Sequence, residues 1–322
     1  MKGFLNVFLI ILIILIIPCQ ISAKGIEVLW QKKMDEGYLG DFKLANNGTI
    51  VFLYKKDVLD KVVDLVGSDK GGYYFWYNRN INKITDYKVS PTGSNIVYTY
   101  LQKKQVGYRP VVVLVNKGQE LWEVYGGESN FFSPDEERIL SVSEGEYFRG
   151  VYLYDDAGNI IWKEDKLALK AGKPDNERYI YGVSDSWVYF IDIKLDKIER
   201  YSYDKKIILH SFDLINNKIF IYDGDSIICF ERGKGKVWQL PLEEEVYKLR
   251  IDSENRNIHA YSTEKKFVIS YDGMTVYNQK NKEEEIIKSI INSDVKYSFS
   301  KNLNYLATFK KKILTLYRIG GE

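Results

Sequence analysis

Apolar residues in this chain fall in short runs that alternate with polar positions, and turn formers break the runs at close intervals. Such alternation marks strands with two unlike faces, whereas an amphipathic helix repeats its apolar residues three and four apart. One phrase recurs along the chain: an apolar pair, a turn, then an alternating strand. It reads FKLANNGTIVFLY from Phe42, YKVSPTGSNIVYTY from Tyr87 and FFSPDEERILSV from Phe131. Weaker copies are KAGKPDNERYIYGV from Lys170, SFDLINNKIFIYD from Ser211, LRIDSENRNIHAYS from Leu249 and YSFSKNLNYLATF from Tyr297. Aligned on Ala45, Ser90, Ser133, Lys173, Leu214, Asp252 and Ser300, the turn comes back about every 42 residues. A four-stranded propeller blade takes ~40–45 residues.

A second phrase closes several copies: VVVLVNKGQELW ending at Trp122, VYLYDDAGNIIW ending at Trp162 and SIICFERGKGKVW ending at Trp238. Each is an apolar strand, a polar Gly turn and a short strand capped by Trp. Gly118 and Gly158 stand four residues before their Trp, where a tight hairpin needs positive φ. A side chain as large as Trp fills the wedge between diverging blades, and its recurrence in register assigns it to packing between blades rather than to a ligand. Each blade is thus two hairpins, and Asn46-Asn47-Gly48, Pro91-Thr92-Gly93, Pro134-Asp135 and Asn216-Asn217 supply the turn chemistry of the first.

The two ends complement each other. Residues 312–322 read as a third strand and its Gly turn, and Gly25-Ile26-Glu27-Val28-Leu29-Trp30 reads as a fourth strand with its Trp. Pairing them closes the ring and removes two open sheet edges. The pattern therefore predicts an all-β chain. It is expected to form a single seven-bladed β-propeller of four-stranded antiparallel blades over residues 24–322. The N-terminal strand completes the last blade. One stretch departs from the repeat: between Lys56 and Gly71, residues Val58, Leu59, Val62, Val63 and Val66 lie at near-helical spacing before Gly67, which predicts a small helix over one face.

Composition agrees with strands. The 6 Trp, 26 Tyr and 15 Phe contrast with seven Ala, and aromatic residues fit pleated sheets where Ala favours helices. Acids and bases nearly balance at a net charge of +2, so nothing favours a nucleic-acid partner. Residues 1–23 read as a signal peptide: Lys2, an apolar run from Phe4 to Ile17 broken by Asn6, Pro18, and a small-residue cleavage site at Ile21-Ser22-Ala23. An uncleaved anchor is the alternative. Pro18 stands before Cys19 where lipoprotein processing wants Gly or Ala. After cleavage Cys229 is the remaining Cys, in the apolar run Ile227-Ile228-Cys229-Phe230, and reads as a small buried hydrophobe. An exported chain without disulfides depends on its core alone.

The SPTG and SPDE turns resemble those of WD-like and Tol-type propeller repeats, and LYDDAGNIIW is similar to the tryptophan-docking phrase of quinoprotein-like (PQQ-like) repeats. The resemblance spans residues 24–322 and implies a propeller. It names no function, because propellers serve as scaffolds, receptors and enzymes. Repeats four and six lack the closing Trp.

Candidate chemistry is sparse. The quinoprotein dehydrogenases would bind a quinone and calcium beside paired cysteines, and no Cys pair exists here. Gly127-Glu128-Ser129-Asn130-Phe131 and Gly182-Val183-Ser184-Asp185-Ser186 lack the last Gly of a nucleophile elbow. His210 and His259 fall in different blades without zinc partners. Asp223-Gly224-Asp225 lacks the further carboxylates of a calcium loop and suits a turn. Glu243-Glu244-Glu245 and Glu283-Glu284-Glu285 sit in blade-to-blade connections, as solvated loops or an acidic patch. No catalytic residue, cofactor or metal ligand is predicted. The links between second and third strands share one face, and two of them mix aromatics with arginine, the composition of interface anchors. Tyr108, Arg109, Tyr147, Phe148 and Arg149 are the candidate partner-binding residues. The expectation is a monomeric, non-catalytic, extracytoplasmic binding or scaffold protein with a protein or extracellular polymer partner. It touches membrane at most through its N-terminal segment. The alternative is an enzyme using the propeller channel, quinoprotein-like or sugar-active.

Overall fold

A computed structural model describes residues 26–34, 38–55, 62–143, 149–280, 295–300, 302 and 304–319. The signal-peptide reading, Val58 and Leu59, Tyr147, Phe148 and the run Glu283-Glu284-Glu285 lie outside them. Within them the strands form seven four-stranded antiparallel sheets, each a meander in chain order apart from the last. This is a seven-bladed β-propeller. The innermost strands of blades 1 to 7 are Tyr38–Leu44, Ile84–Val89, Ser129–Phe132, Ala171–Pro174, Leu209–Asp213, Lys248–Asp252 and Lys296–Phe299. These first strands meet their counterparts in neighbouring blades, so they line the axis.

Blade 7 is built from both ends of the chain. Ile26–Lys33 pairs antiparallel with Ile313–Ile319, from Ile26 opposite Ile319 to Lys33 opposite Ile313, and supplies the outer strand. The middle strands read as near-continuous apolar runs because each sheet is covered on both faces. Val111 to Val115 in blade 2 and Ile219 to Tyr222 in blade 5 are all buried. The core is a series of seams. One apolar cluster joins blades 1 and 2 around Val51, Trp76 and Tyr98, another joins blades 4 and 5 around Tyr181, Phe190 and Phe230, and Met34, Phe52 and Leu316 join blades 7 and 1.

The closing aromatics work between blades. Trp122 of blade 2 lies against Gly158 in the turn of blade 3, and its indole N–H donates to the Asp156 carbonyl at 2.8 Å. Gly158 has φ +84° and an added Cβ would stand 2.8 Å from the Trp122 ring, so both the backbone and the docked indole require glycine. Trp162 donates to Asp196 Oδ1 of blade 4 at 3.0 Å, and Trp238 donates to the Tyr271 carbonyl of blade 6 at 2.7 Å. Trp30 covers Gly72 across the closing seam. Blade 4 carries Tyr201 in this role, against Gly235 of blade 5.

Two expectations are corrected. No helix covers Val62 to Val66: Val62–Ser68 is the third strand of blade 1, paired with Ile50–Lys55. Val63, Leu65 and Val66 are buried there, and a two-sided apolar run with two β-branched valines suits a strand covered on both faces better than one helical stripe. The repeat register also moves in two blades. The residue that closes the first turn is Asp175 in blade 4, not Lys173, and Asp213 in blade 5, not Leu214. The Asp175 N–H reaches the Tyr179 carbonyl, as the Ser133 N–H reaches Arg138, and Asp213 pairs with Lys218. In six of the seven blades this position carries an oxygen that accepts the turn's own amides, Asp252 among them, while in blade 1, where Ala45 stands, Asn47 Oδ1 accepts from Thr49 N at 2.9 Å. Ser90 Oγ accepts from Asn95 N at 3.1 Å, Ser133 Oγ from Arg138 N at 3.0 Å and Ser300 Oγ from Tyr305 N at 3.0 Å. Asp175 Oδ1 accepts from the amides of Glu177, Arg178 and Tyr179, and Asp213 Oδ1 from those of Ile215 and Asn216. Ser and Asp are interchangeable here because either satisfies orphan turn donors.

Candidate functional site

Three of the five rim candidates are described. Tyr108 opens the third strand of blade 2, Tyr108–Asn116, and lies half-buried with the Lys83 ammonium 3.5 Å from its ring centroid. Arg109 is exposed. It pairs with Gln102, while Val111, two residues on, pairs with Tyr125 of the outer strand. That diagonal spacing places the Arg109 guanidinium 5.7 Å from the Tyr125 ring centroid. Lys104 approaches the same ring at 5.1 Å. Tyr125, 47% exposed, is therefore the aromatic centre of this cluster, and the sequence reading passed over it because it ends an ordinary outer strand. Arg149 is exposed just before the third strand of blade 3, Gly150–Asp155. Among the described residues no contact joins it to Arg109.

The other singled-out residues settle into structural roles. Asp223 Oδ1 accepts the amides of Asp225 and Ser226, and its Oδ2 accepts the Tyr203 hydroxyl at 2.5 Å, so the Asp-Gly-Asp segment is a locked turn. Cys229 is fully buried, and burial pushes its thiol up to about 12. Glu244 accepts from Ser262 Oγ and pairs with Lys265, while Glu243 and Glu245 are exposed. His210 differs, because it stands on the channel wall.

A cavity of about 430 Å³ lies on the axis. Its wall comes from the inner strands and first turns of blades 3 to 7 and includes Phe131, Lys173, His210, Ser211, Phe212, Lys248, Arg250 and Phe299. Among the described residues of its lining are the cations Lys173, Lys248 and Arg250, each of which has an interaction partner. His210 lies 5.1 Å from Phe212, ring to ring. Burial first, and then the Lys170 ammonium, pushes its imidazole down to about 4, so at neutral pH it is an uncharged donor and acceptor. A second cavity of about 360 Å³, at the turns of blades 2 and 3, has the opposite character, with Asp135, Glu136, Glu137 and Asp156 in its lining. Glu136 is engaged there: its carboxylate accepts from Thr92 N at 2.8 Å and Thr92 Oγ1 at 2.7 Å.

Compared with known proteins, the chain matches no protein-family profile and no curated sequence.

Proposed function

We propose that this chain is a non-catalytic binding or scaffold propeller that acts outside the cytoplasm and contacts a protein or polymer partner through the rim of blade 2. The observation that carries the reading is the arrangement of Arg109 and Lys104 over the exposed ring of Tyr125. Exposed aromatics with stacked cations offer an apolar platform and charged hydrogen-bond donors at one spot, which is how interface anchors are composed. The cluster sits beside the blade 2 hairpin Asn95–Lys103 and Tyr108–Asn116, whose pairing runs unbroken from Asn95–Asn116 to Lys103–Tyr108, so it is held on a rigid ladder. The apolar N-terminal run supports export.

The test is a paired replacement, Arg109→Ala with Tyr125→Ala. Both side chains are largely solvent-exposed, so thermal stability should change by no more than about 1 kcal/mol. Partner retention from the organism's own envelope or medium fraction should fall by tenfold or more, about what the loss of an interface anchor causes. Retention equal to the parent's, with the fold intact, would remove the rim from the proposal.

A further inference from the structure

Charge in the links between second and third strands follows a pattern that blade 2 breaks. Strand direction alternates along each meander, so these links share one face of the ring with the connections leading into each blade. In blade 4, Asp185 of the link pairs with Lys170 of the connection into that blade at 3.3 Å. In blade 5, Asp225 pairs with Lys205 at 2.9 Å. In blade 6 the signs are exchanged, and Lys265 pairs with Glu244. In these three blades, link and connection carry opposite charges that meet.

Blade 2 has cations on both sides. Its hairpin segment from Leu101 to Pro110 holds Lys103, Lys104 and Arg109 and no Asp or Glu. The residue of the connection into the blade, between the strands Tyr74–Asn82 and Ile84–Val89, is Lys83. Lys83 stands where the other blades place the opposite charge, and its carbonyl accepts Leu101 N at 3.1 Å, which ties the connection to the hairpin. Rings take the position of the missing carboxylates. The Lys83 ammonium lies 3.5 Å from the Tyr108 ring centroid, and Lys104 and Arg109 lie 5.1 Å and 5.7 Å from that of Tyr125. Among the described residues no ion pair to Asp or Glu engages Lys83, Lys104 or Arg109. A ring face attracts a cation but has no net charge, so the cluster as a whole stays positive. Val106, at the tip of the same hairpin, is 93% exposed.

We propose that the rim of blade 2 takes an acidic segment of a protein partner, whose carboxylates supply the charge that Asp185, Asp225 and Glu244 supply in the other blades. This partner chemistry rests on the blade 2 rim being the contact surface. The Arg109 guanidinium presents the planar fork that matches a carboxylate, and the two lysines add point charges. Rings that already hold the cations reduce the side-chain freedom lost on binding. An apolar tip beside cations suits a chain in which acidic and apolar side chains alternate, which a protein provides and a uniform acidic glycan does not.

Titration of a labelled Glu–Tyr copolymer with the purified propeller, followed by fluorescence anisotropy at low and at raised salt, tests the proposal. Polygalacturonate serves as the acidic glycan and a Lys–Tyr copolymer as the opposite charge. Saturable binding of the Glu–Tyr copolymer is expected, weakening as salt rises, with none of the Lys–Tyr copolymer. Lys83→Glu places a carboxylate where blade 6 has Glu244. It should weaken the copolymer about tenfold or more while the melting temperature stays level or rises. Lys311→Glu with Lys312→Glu changes more charge on the blade 7 hairpin of the same face and should leave binding unchanged. No binding of the Glu–Tyr copolymer, binding undiminished by Lys83→Glu, or an equal loss from the blade 7 pair overturns the proposal. Tighter binding of polygalacturonate, lost with Lys83→Glu, assigns a glycan and overturns the protein partner. If Lys83→Glu melts below the assay temperature, Lys104→Gln serves in its place, and undiminished binding is again the overturning result. The rim and its partner chemistry fail separately. If Arg109→Ala with Tyr125→Ala releases the native partner but the Glu–Tyr copolymer does not bind, the rim stands and the acidic partner falls. If that pair leaves partner retention intact, the rim itself falls.

Discussion

His210 shows how a single side chain can link the channel to the stability of the ring. Its imidazole is held down at about 4 by burial and by Lys170, against about 6.5 in an unfolded chain. Between those values the unfolded chain takes up a proton and the folded one does not, so stability falls as pH drops through this window. Below about 4 both states are protonated and the loss is complete. A shift of this size corresponds to about 3.5 kcal/mol at most, at ~1.4 kcal/mol per unit. His210→Gln keeps a neutral donor and acceptor of similar size. Its denaturation midpoint should therefore fall less steeply than the parent's as pH is lowered from about 6.5 to about 4. His259 is also pushed down, chiefly by burial, so the variant should retain a smaller slope. Parallel pH–stability curves for parent and variant would show that the channel wall accommodates the charged imidazole.

At the level of strands and turns, the joint between blades is the unit to test, and Trp162 is the clearest case. It is buried against Leu153, Leu169 and Ile191 and donates to Asp196 in the next blade's turn. Trp162→Ala removes a core aromatic and leaves the blade 3–4 seam open, so a loss of about 3–5 kcal/mol is expected in urea denaturation. Trp162→Phe keeps most of the apolar contact and gives up the N–H donor, for about 1–2 kcal/mol. Equal losses in the two variants would mean that the hydrogen bond, not packing, holds the joint. This joint was legible in the sequence because Trp122, Trp162 and Trp238 repeat in register with their turns. The blade boundaries and the ring-closing strand were legible for the same reason. What the sequence obscured was register. In blade 4 the turn oxygen belongs to Asp175, while Ser-Pro phrases elsewhere drew the alignment to Lys173. Counted as a turn residue, Lys173 was separated from its equivalents Lys43, Lys88 and Arg250, each two residues before the turn-closing position. The helix expected over Val62 to Val66 failed for a related reason. A strand buried on both faces loses its two-residue period, and spacing alone then cannot separate it from a helix. Tyr125 carried no signal of its own, since its role depends on Arg109 lying diagonally across a strand pair.

Over the whole molecule, the ring is held by two systems, and only one of them depends on the closing strand. The first is an axial circuit of bonds at the first turns and adjoining second strands, which crosses every blade joint except that between blades 6 and 7 among the described residues. Asn302 N donates to Asn46 Oδ1, Asn46 N to the Pro91 carbonyl, Thr92 N to Glu136, and Asp135 N to Asn176 Oδ1. Tyr181 OH then donates to Asn217 Oδ1, and Ser253 Oγ to Asp213 Oδ1. The second is the pairing of Ile26–Lys33 with Ile313–Ile319, with Leu29 and Trp30 packed onto the blade 7–1 core. Removing residues 1–33 leaves the axial circuit in place but strips the outer strand, exposes an apolar core edge and presents an unpaired ladder to other chains. Loss of the Trp30 packing alone is of the size of a core Trp→Ala change, ~3–5 kcal/mol, which at ~2–4 °C per kcal/mol predicts a melting temperature lower by about 10 °C. Concentration-dependent association on size exclusion should accompany it. A circular permutant separates loss of the strand from loss of its covalent route. Ile26 and Ile319 face each other in register, so a two-residue turn can join them, with new ends placed within residues 35–37. All seven blades are then continuous meanders. This permutant should melt within a few degrees of the parent and remain monomeric. A truncated chain that melts with the parent would show that the axial bonds and the remaining apolar seams hold the ring and that the N-terminal strand is dispensable.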